Sequence, residues 1–101
     1  MLTFEEIVRP GLEQVITQFP RYTAVASDGC TLQILPTQEN RVTSMPWSFR
    51  ILNDQGKSRV YYQGIGGTKL RFGPDVENLT IEWVHETATR FVSDTLRGLR
   101  V

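Results

Sequence analysis

The 101 residues carry a formal net charge of zero, with 40% hydrophobic and 22% charged residues. These fractions are those of an ordinary globular protein and exclude a disordered chain, while the length supports one domain, so we expect residues 1–101 to form a single domain. No apolar run approaches the roughly 20 residues of a membrane span, and no basic segment leads into an apolar one, so we expect neither a membrane helix nor a secretory leader.

The first predicted element is an amphipathic helix over about residues 4–18. Thr3 and Glu6 have the spacing of a capping box, in which each side chain accepts a hydrogen bond from the other residue's backbone N–H. Pro10 and Gly11 interrupt the pattern, so we expect a kink or a break near Arg9. The apolar residues keep helical spacing across that point: Phe4, Ile7, Val8, Leu12, Val15, Ile16 and Phe19.

A hairpin is predicted next, because Asp28-Gly29 separates two runs that alternate with a period of two. A two-residue loop pairs Val25 with Leu32 and Thr23 with Ile34, and these four residues form the predicted buried face. Residues 36–46 are polar and rich in turn formers, which favours a loop. A short strand over residues 41–44 is an alternative.

A second hairpin is predicted from Trp47, Phe49 and Ile51, which alternate with polar residues before the turn-forming segment 54–57. A four-residue loop pairs Ile51 with Val60 and Phe49 with Tyr62, whereas a three-residue loop sets Ile51 against Arg59. We choose the four-residue loop because it matches the apolar faces.

The glycine-rich segment 64–67 bends the chain into a final predicted strand, in which Thr68, Leu70 and Phe72 alternate with Lys69 and Arg71. The segment continues into Thr68-Lys69 and superficially suggests a phosphate-binding loop. A P-loop, however, has Gly-Lys before Ser or Thr and leads from a strand into a helix. A bulge or wide turn is therefore the interpretation we prefer.

The last predicted element is a helix over about residues 78–98, with Gly98 as its C-terminal stop. Residues 79–83 also alternate in the manner of a strand, which leaves a last strand before a shorter helix as the alternative. The chain is thus predicted to be an α+β domain of order αββββα. We expect a four-stranded, mostly antiparallel sheet of two hairpins, with the N-terminal and C-terminal helices packed on one face.

The central part of the chain is basic although the whole is neutral. Residues 41–71 contain six basic residues and one acidic residue, whereas both flanking segments have an excess of acidic residues. If the apolar residues of the second hairpin and the last run face the helices, pleating places four cations on the opposite face around Tyr61. They are Arg50, Arg59, Lys69 and Arg71.

This predicted basic face has two interpretations. In the chosen register Tyr61 lies across from Arg50, and a basic surface with an aromatic ring can neutralise phosphates and stack bases of a single strand. The alternative is a solvated outer face whose charges keep the sheet soluble. Trp83, set to one side of the apolar stripe of the last helix, is either an anchor for a partner or a cover for the sheet edge.

Enzymatic groups are sparse in this sequence. Cys30 is the only cysteine and follows a hairpin turn, which excludes an internal disulfide and fits a reducing, cytoplasmic compartment. His85, with Glu82 and Glu86, gives at most three metal ligands on one helical turn, too few for the carboxylate sites of helical bundles. We expect no catalytic residue, metal or other cofactor.

The predicted function is therefore a small non-enzymatic binding or adaptor protein that engages another protein while forming a homodimer. A single-stranded nucleic-acid module that uses the basic face is the alternative, and a metal- or Cys/His-dependent enzyme comes third. We expect no membrane partner, and no pattern in the sequence indicates a small-molecule ligand or a particular family.

Overall fold

The computed structural model describes residues 2–35, 47–54, 59–64 and 70–99. One helix precedes the sheet in the sequence and one follows it, and neighbouring strands of the sheet are consecutive along the chain. The elements are α1 Phe4–Gln18, β1 Thr23–Val25, β2 Thr31–Ile34, β3 Trp47–Asp54, β4 Arg59–Gly64, β5 Arg71–Asp75, the 3-10 turn Val76–Asn78 and α2 Ile81–Leu99. The alternative strand over residues 41–44 lies outside the described residues.

The sheet is antiparallel throughout and its strands lie in the order β1-β2-β3-β4-β5. The α+β class is confirmed, but the predicted count of four strands is wrong, because the run after the second hairpin pairs with β4 as a fifth strand. Both helices pack on one face of the sheet, where the core lies. Its members are Val8, Leu12, Val15, Leu32, Ile34, Phe49, Ile51, Val60, Leu79, Val84, Ala88 and Val92.

Helix α1 has the predicted bounds and the predicted capping box. The Glu6 backbone N–H donates to Thr3 Oγ1, and the Thr3 backbone N–H donates to Glu6 Oε1, each at 3.2 Å. Of the expected kink or break near Arg9, the break does not occur, since the helix runs through Pro10 to Gln18. Proline removes only one backbone donor, and the buried apolar stripe on both sides of it keeps the helix against the core.

Gly11 marks the place where α1 crosses α2. A Cβ at this position would lie 2.6 Å from Val84 Cβ and 3.1 Å from the carbonyl oxygen of Ile81. Real Cβ atoms do not approach so closely, and only a glycine lets the two helix backbones come this near. The residue that we expected to disturb α1 therefore sets its contact with α2.

The first hairpin has the predicted register, in which Val25 faces Leu32 and Thr23 faces Ile34. Its loop is longer than two residues, because the Ala26 N–H donates to the Thr31 carbonyl at 2.9 Å and leaves residues 27–30 to make the turn. Gly29 supplies the left-handed conformation in this turn, with φ at 76°.

The second hairpin is shifted from the predicted pairing. Ile51 faces Tyr62 and Phe49 faces Gly64, so the predicted Ile51–Val60 and Phe49–Tyr62 pairs are wrong. Asp54 pairs within the sheet instead of turning, and the connection falls at residues 55–58, outside the described residues. Because the register is shifted by an even amount, the same side chains still point at the helices.

Strand β5 has the opposite phase from the one predicted. Phe72 faces Tyr61 and Arg71 faces Tyr62, with an irregularity in the β4–β5 register between Arg59 and Tyr61. Phe72 is therefore on the outer face, 59% exposed, and Arg71 is on the helix side. The indole of Trp83 explains why β5 has this phase. A Cβ added to Gly73 would lie 2.7 Å from the indole, so position 73 points toward the helix side and position 72 points outward.

Helix α2 begins at Ile81, where the Trp83 N–H donates to Thr80 Oγ1 at 3.0 Å and the Val84 N–H donates to the Thr80 carbonyl at 3.2 Å. Of residues 79–83, which were predicted to belong to the helix, residues 81–83 are helical and residues 79 and 80 precede it. The start lies three residues later than predicted because Leu79 is extended and buried in the core. Hydroxyl capping by Thr80 explains the position of this start.

The Gly11 contact generates the first prediction. We expect Gly11→Ala to lower the free energy of unfolding by ~2 kcal/mol, because the added methyl group overlaps Val84 in a packed crossing. Urea unfolding followed by far-UV circular dichroism measures the change.

Gln14→Ala is the matched control, since Gln14 is exposed on the same helix and we expect a change within about 0.5 kcal/mol. Alanine has a higher helix propensity than glycine. If α1 did not contact α2 at this position, Gly11→Ala would therefore stabilise the protein by about 1 kcal/mol. An unchanged or raised stability of the Gly11 variant contradicts the close contact.

Candidate functional site

The outer face of the sheet carries a row of apolar side chains. Leu52 on β3 lies opposite Tyr61 on β4, and Tyr61 lies opposite Phe72 on β5. Leu52 and Tyr61 are half-buried, and Phe72 is more than half exposed. Directly opposed side chains on neighbouring strands have Cβ atoms about 5 Å apart, so these three residues form one continuous strip, called here the apolar row.

Charged side chains surround the apolar row. The guanidinium of Arg59 lies 5.5 Å from the centroid of the Phe72 ring, within range of a cation-π contact. Arg59 also faces Asp75 across the β4–β5 pair. Arg50 is exposed on β3 opposite Gln63. The outer face therefore has an apolar centre with both signs of charge at its margin.

The structure brings together part of the predicted basic face. Arg50, Arg59 and Tyr61 lie on the outer side, whereas Arg71 lies on the helix side of β5 and Lys69 is outside the described residues. The predicted opposition of Tyr61 and Arg50 is wrong, because the shifted register places Leu52 across from Tyr61.

Phe72 is the residue of this surface that sequence reasoning missed. The alternation of Leu70 and Phe72 suggested an inward, apolar side of the strand, yet the two side chains are 47% and 59% exposed. The sequence signal that could have predicted their exposure is Gly73. A glycine at that position leaves room on the helix side for a large ring from another element.

Trp83 lies on the opposite side of the sheet from the apolar row. Its indole is half-buried, packs over Gly73 and meets the Tyr62 ring edge-on with centroids 5.5 Å apart. This is the position of a side chain that covers the sheet edge, which was the second interpretation drawn from the sequence. Whether it also anchors a partner remains a prediction.

Asp28 organises the tip of the first hairpin beside Arg50. Its carboxylate accepts hydrogen bonds from the backbone N–H groups of Cys30 and Thr31 at 2.9 and 3.0 Å and from the Thr31 hydroxyl at 2.7 Å. Partial desolvation raises the pKa of Asp28, but these hydrogen bonds and the Arg50 charge outweigh it and leave the pKa below its usual value. The Asp28 carboxylate therefore offsets part of the positive charge of Arg50.

Cys30 has the opposite electrostatic surroundings. Burial raises the pKa of its thiol, and the carboxylates of Asp28 and Glu5 raise it further, against the smaller effects of Arg9 and Arg50. A thiol held in its protonated form is a weak nucleophile.

Within the described ranges no group of three His, Cys, Asp or Glu side chains is placed to hold a metal ion. In that same part of the chain no helix has both the length and the apolar character required to span a bilayer.

Comparisons with protein-family models, with curated proteins and with solved structures yield no match for this chain.

The Asp28 hydrogen bonds generate the second prediction. We expect Asp28→Ala to lower the free energy of unfolding by about 1–2 kcal/mol at neutral pH, since two backbone donors and one hydroxyl lose their acceptor. The measurement is urea unfolding of both proteins across the acid range.

The difference should depend on pH in one direction. Because the folded pKa of Asp28 is lowered, its contribution is present above the unfolded value of about 3.9 and is lost as pH falls through the folded pKa. Glu13→Gln, at an exposed position of α1, is the charge-matched control and should not reproduce this behaviour. A stability difference that stays constant down to about pH 2 contradicts the role given to the carboxylate.

Proposed function

We propose that this chain is a non-enzymatic interaction protein that self-associates into a homodimer through the outer face of its sheet. The observation that carries the proposal is the apolar row, with Phe72 59% exposed at its end. Both described helices occupy the other face, so neither of them covers these side chains.

The composition of the outer face supports contact with protein. A sheet face that is solvated on one side normally alternates polar residues outward, whereas Leu52, Tyr61 and Phe72 adjoin one another across three strands. Removing apolar surface from water is favourable by about 25 cal/mol per Å². A contiguous apolar patch framed by polar side chains is typical of an interaction site.

Charge and edge geometry favour a second copy as the partner. The margin of the apolar row has both signs, with Arg59 facing Asp75, so a two-fold arrangement can set the cation of one copy against the anion of the other. The neutral chain has no net repulsion between copies. Pairing at the described edges is disfavoured, because β5 contains Pro74 and β1 has three residues.

The dimensions of the sheet set the expected strength of association. Five strands spaced by about 4.8 Å give a face roughly 20 Å wide, and paired lengths of about five residues give a height of roughly 17 Å. This face is smaller than the ~800 Å² per partner of a standard interface. We therefore expect a dissociation constant in the micromolar range and a dimer that depends on protein concentration.

Phe72 is the residue to test, because its side chain is exposed and a substitution should leave the core intact. We expect Phe72→Glu to weaken dimerisation at least tenfold, since it places a charge within the apolar contact. Sedimentation velocity over a range of protein concentrations measures the dissociation constant, and circular dichroism confirms the fold.

Leu2→Glu provides the matched control, because Leu2 is 53% exposed but precedes α1 and lies outside the sheet. It should leave the dissociation constant unchanged. A monomer at all concentrations, or a dimer that Phe72→Glu leaves intact, contradicts the proposal.

Single-stranded nucleic acid is the second candidate, on one specific observation. Tyr61 and Phe72 are neighbouring aromatic side chains on an open sheet face with Arg59 beside them, an arrangement on which bases can stack. Against it, Arg71 lies on the other face and Asp28 offsets the charge of Arg50. Self-association is therefore favoured.

Fluorescence anisotropy with a labelled single strand of about 12 nucleotides distinguishes the two candidates. If the outer face binds nucleic acid, binding at about 50 mM salt should weaken steeply with added salt, and Arg59→Glu should weaken it more than Arg71→Glu. These two arginines are matched because they lie on neighbouring strands but on opposite faces. Absence of binding at low salt, or equal effects of the two variants, rules out this candidate.

A further inference from the structure

A surface cleft of about 250 Å³ opens on the helix side of the sheet, between α2 and the strands β4 and β5. Aromatic rings form its base. The Phe49 and Phe91 rings are stacked with centroids 5.0 Å apart, and the Tyr62 ring lies 5.5 Å from that of Phe49 at a tilt of 55°. Phe49 is fully buried, while Tyr62 and Phe91 are half-buried, so the latter two present ring surface to the cleft.

Two arginines from different elements line the same cleft. Arg71 comes from β5 and Arg90 from α2, and both are exposed. Asp94 is the acidic residue of the lining, so cations outnumber anions by two to one. Over the ranges that the structure describes, neither guanidinium is held by an ion pair or hydrogen bond to a carboxylate. Asp94 follows Arg90 at the i,i+4 spacing, in the less favourable order for such pairs on a helix.

The shape and chemistry of the cleft select its ligand. A cavity of about 150 Å³ accommodates benzene, so about 250 Å³ accommodates one aromatic ring with a short side arm. Ring faces and edges provide favourable aromatic contacts for such a ring. Guanidinium groups form short, charge-assisted and often bidentate hydrogen bonds with carboxylates.

We propose that this cleft binds a small aromatic carboxylate, with its ring against Tyr62 and Phe91 and its carboxylate between Arg71 and Arg90. Thr87 and Thr95 also line the cleft, and their hydroxyl groups can supply further polar contacts. The inference goes beyond self-association and does not depend on it, because it uses the opposite face of the sheet.

Phenylacetate is a suitable probe, in a titration of ¹⁵N-labelled protein followed by amide chemical shifts at neutral pH. A ligand of this size supports a dissociation constant on the order of 1 mM, and we expect shifts at Gln63, Thr87 and Phe91. Phenylacetamide, which keeps the ring but lacks the charge, should bind at least tenfold more weakly. Inorganic phosphate, which keeps the charge but lacks the ring, should also bind at least tenfold more weakly.

Charge-removing variants locate the site. Arg71→Gln and Arg90→Gln should each weaken phenylacetate binding about tenfold, whereas Arg97→Gln, on the same helix but outside the cleft lining, should leave it unchanged. The amide spectrum of each variant shows whether its fold is retained. Three outcomes overturn the proposal: no shifts up to about 20 mM phenylacetate, equal binding of the acid and its amide, or an equal effect of Arg97→Gln.

Discussion

The contact between the Trp83 indole and Gly73 sets the character of both faces of the sheet. The indole occupies the space where any larger residue at position 73 would place its side chain. Gly73 is thereby an inward position of β5, and alternation along the strand turns Phe72 outward. The same alternation turns Arg71 inward, where it lines the cleft. One glycine and one tryptophan thus produce both the exposed end of the apolar row and one wall of the cleft.

A second glycine has a comparable effect on the helices. At Gly11 the backbone of α1 approaches Val84 and Ile81 of α2 closely enough to exclude any side chain. This crossing holds both helices on one face of the sheet, where they share the core cluster. The two glycine contacts fix α2 from both sides, against α1 near its start and against β5 through Trp83. With both described helices held on one face, neither of them covers the outer face of the sheet.

The elements that could be predicted are those specified by neighbouring residues. The capping box of α1, the Asp28-Gly29 turn with its pairing of Val25 and Leu32, and the helical period of α2 are all local patterns, and the structure has them. The pairing of β3 with β4 could not be predicted, because any even shift leaves the same apolar side chains buried. The phase of β5 depends on Trp83, a residue of another element, so alternation within the strand gave the wrong face.

The same distinction explains which site residues were found. Arg59 and Tyr61 were placed on the correct face because β4 has the predicted phase. Phe72 and Arg71 were each placed on the wrong face, because β5 has the opposite phase from the one predicted. The lining of the cleft comes from β3, β4, β5 and α2, and no single stretch of sequence contains enough of it to form a recognisable pattern. Charge and apolar character were visible in the sequence, but their assembly into surfaces required the tertiary contacts.

The charge of the central segment shows how a count along the chain can mislead. Six basic residues against one acidic residue over positions 41–71 predicted one basic surface. Neighbouring residues of a strand point to opposite faces, so the described arginines of this segment are divided between the margin of the apolar row and the cleft. Acidic residues from outside this segment lie close to its cations. Asp28 is beside Arg50, and Asp75 is across from Arg59. An apolar centre with a mixed-charge margin is better matched to a protein surface than to a polyanion, because a polyanion requires a continuous field of one sign.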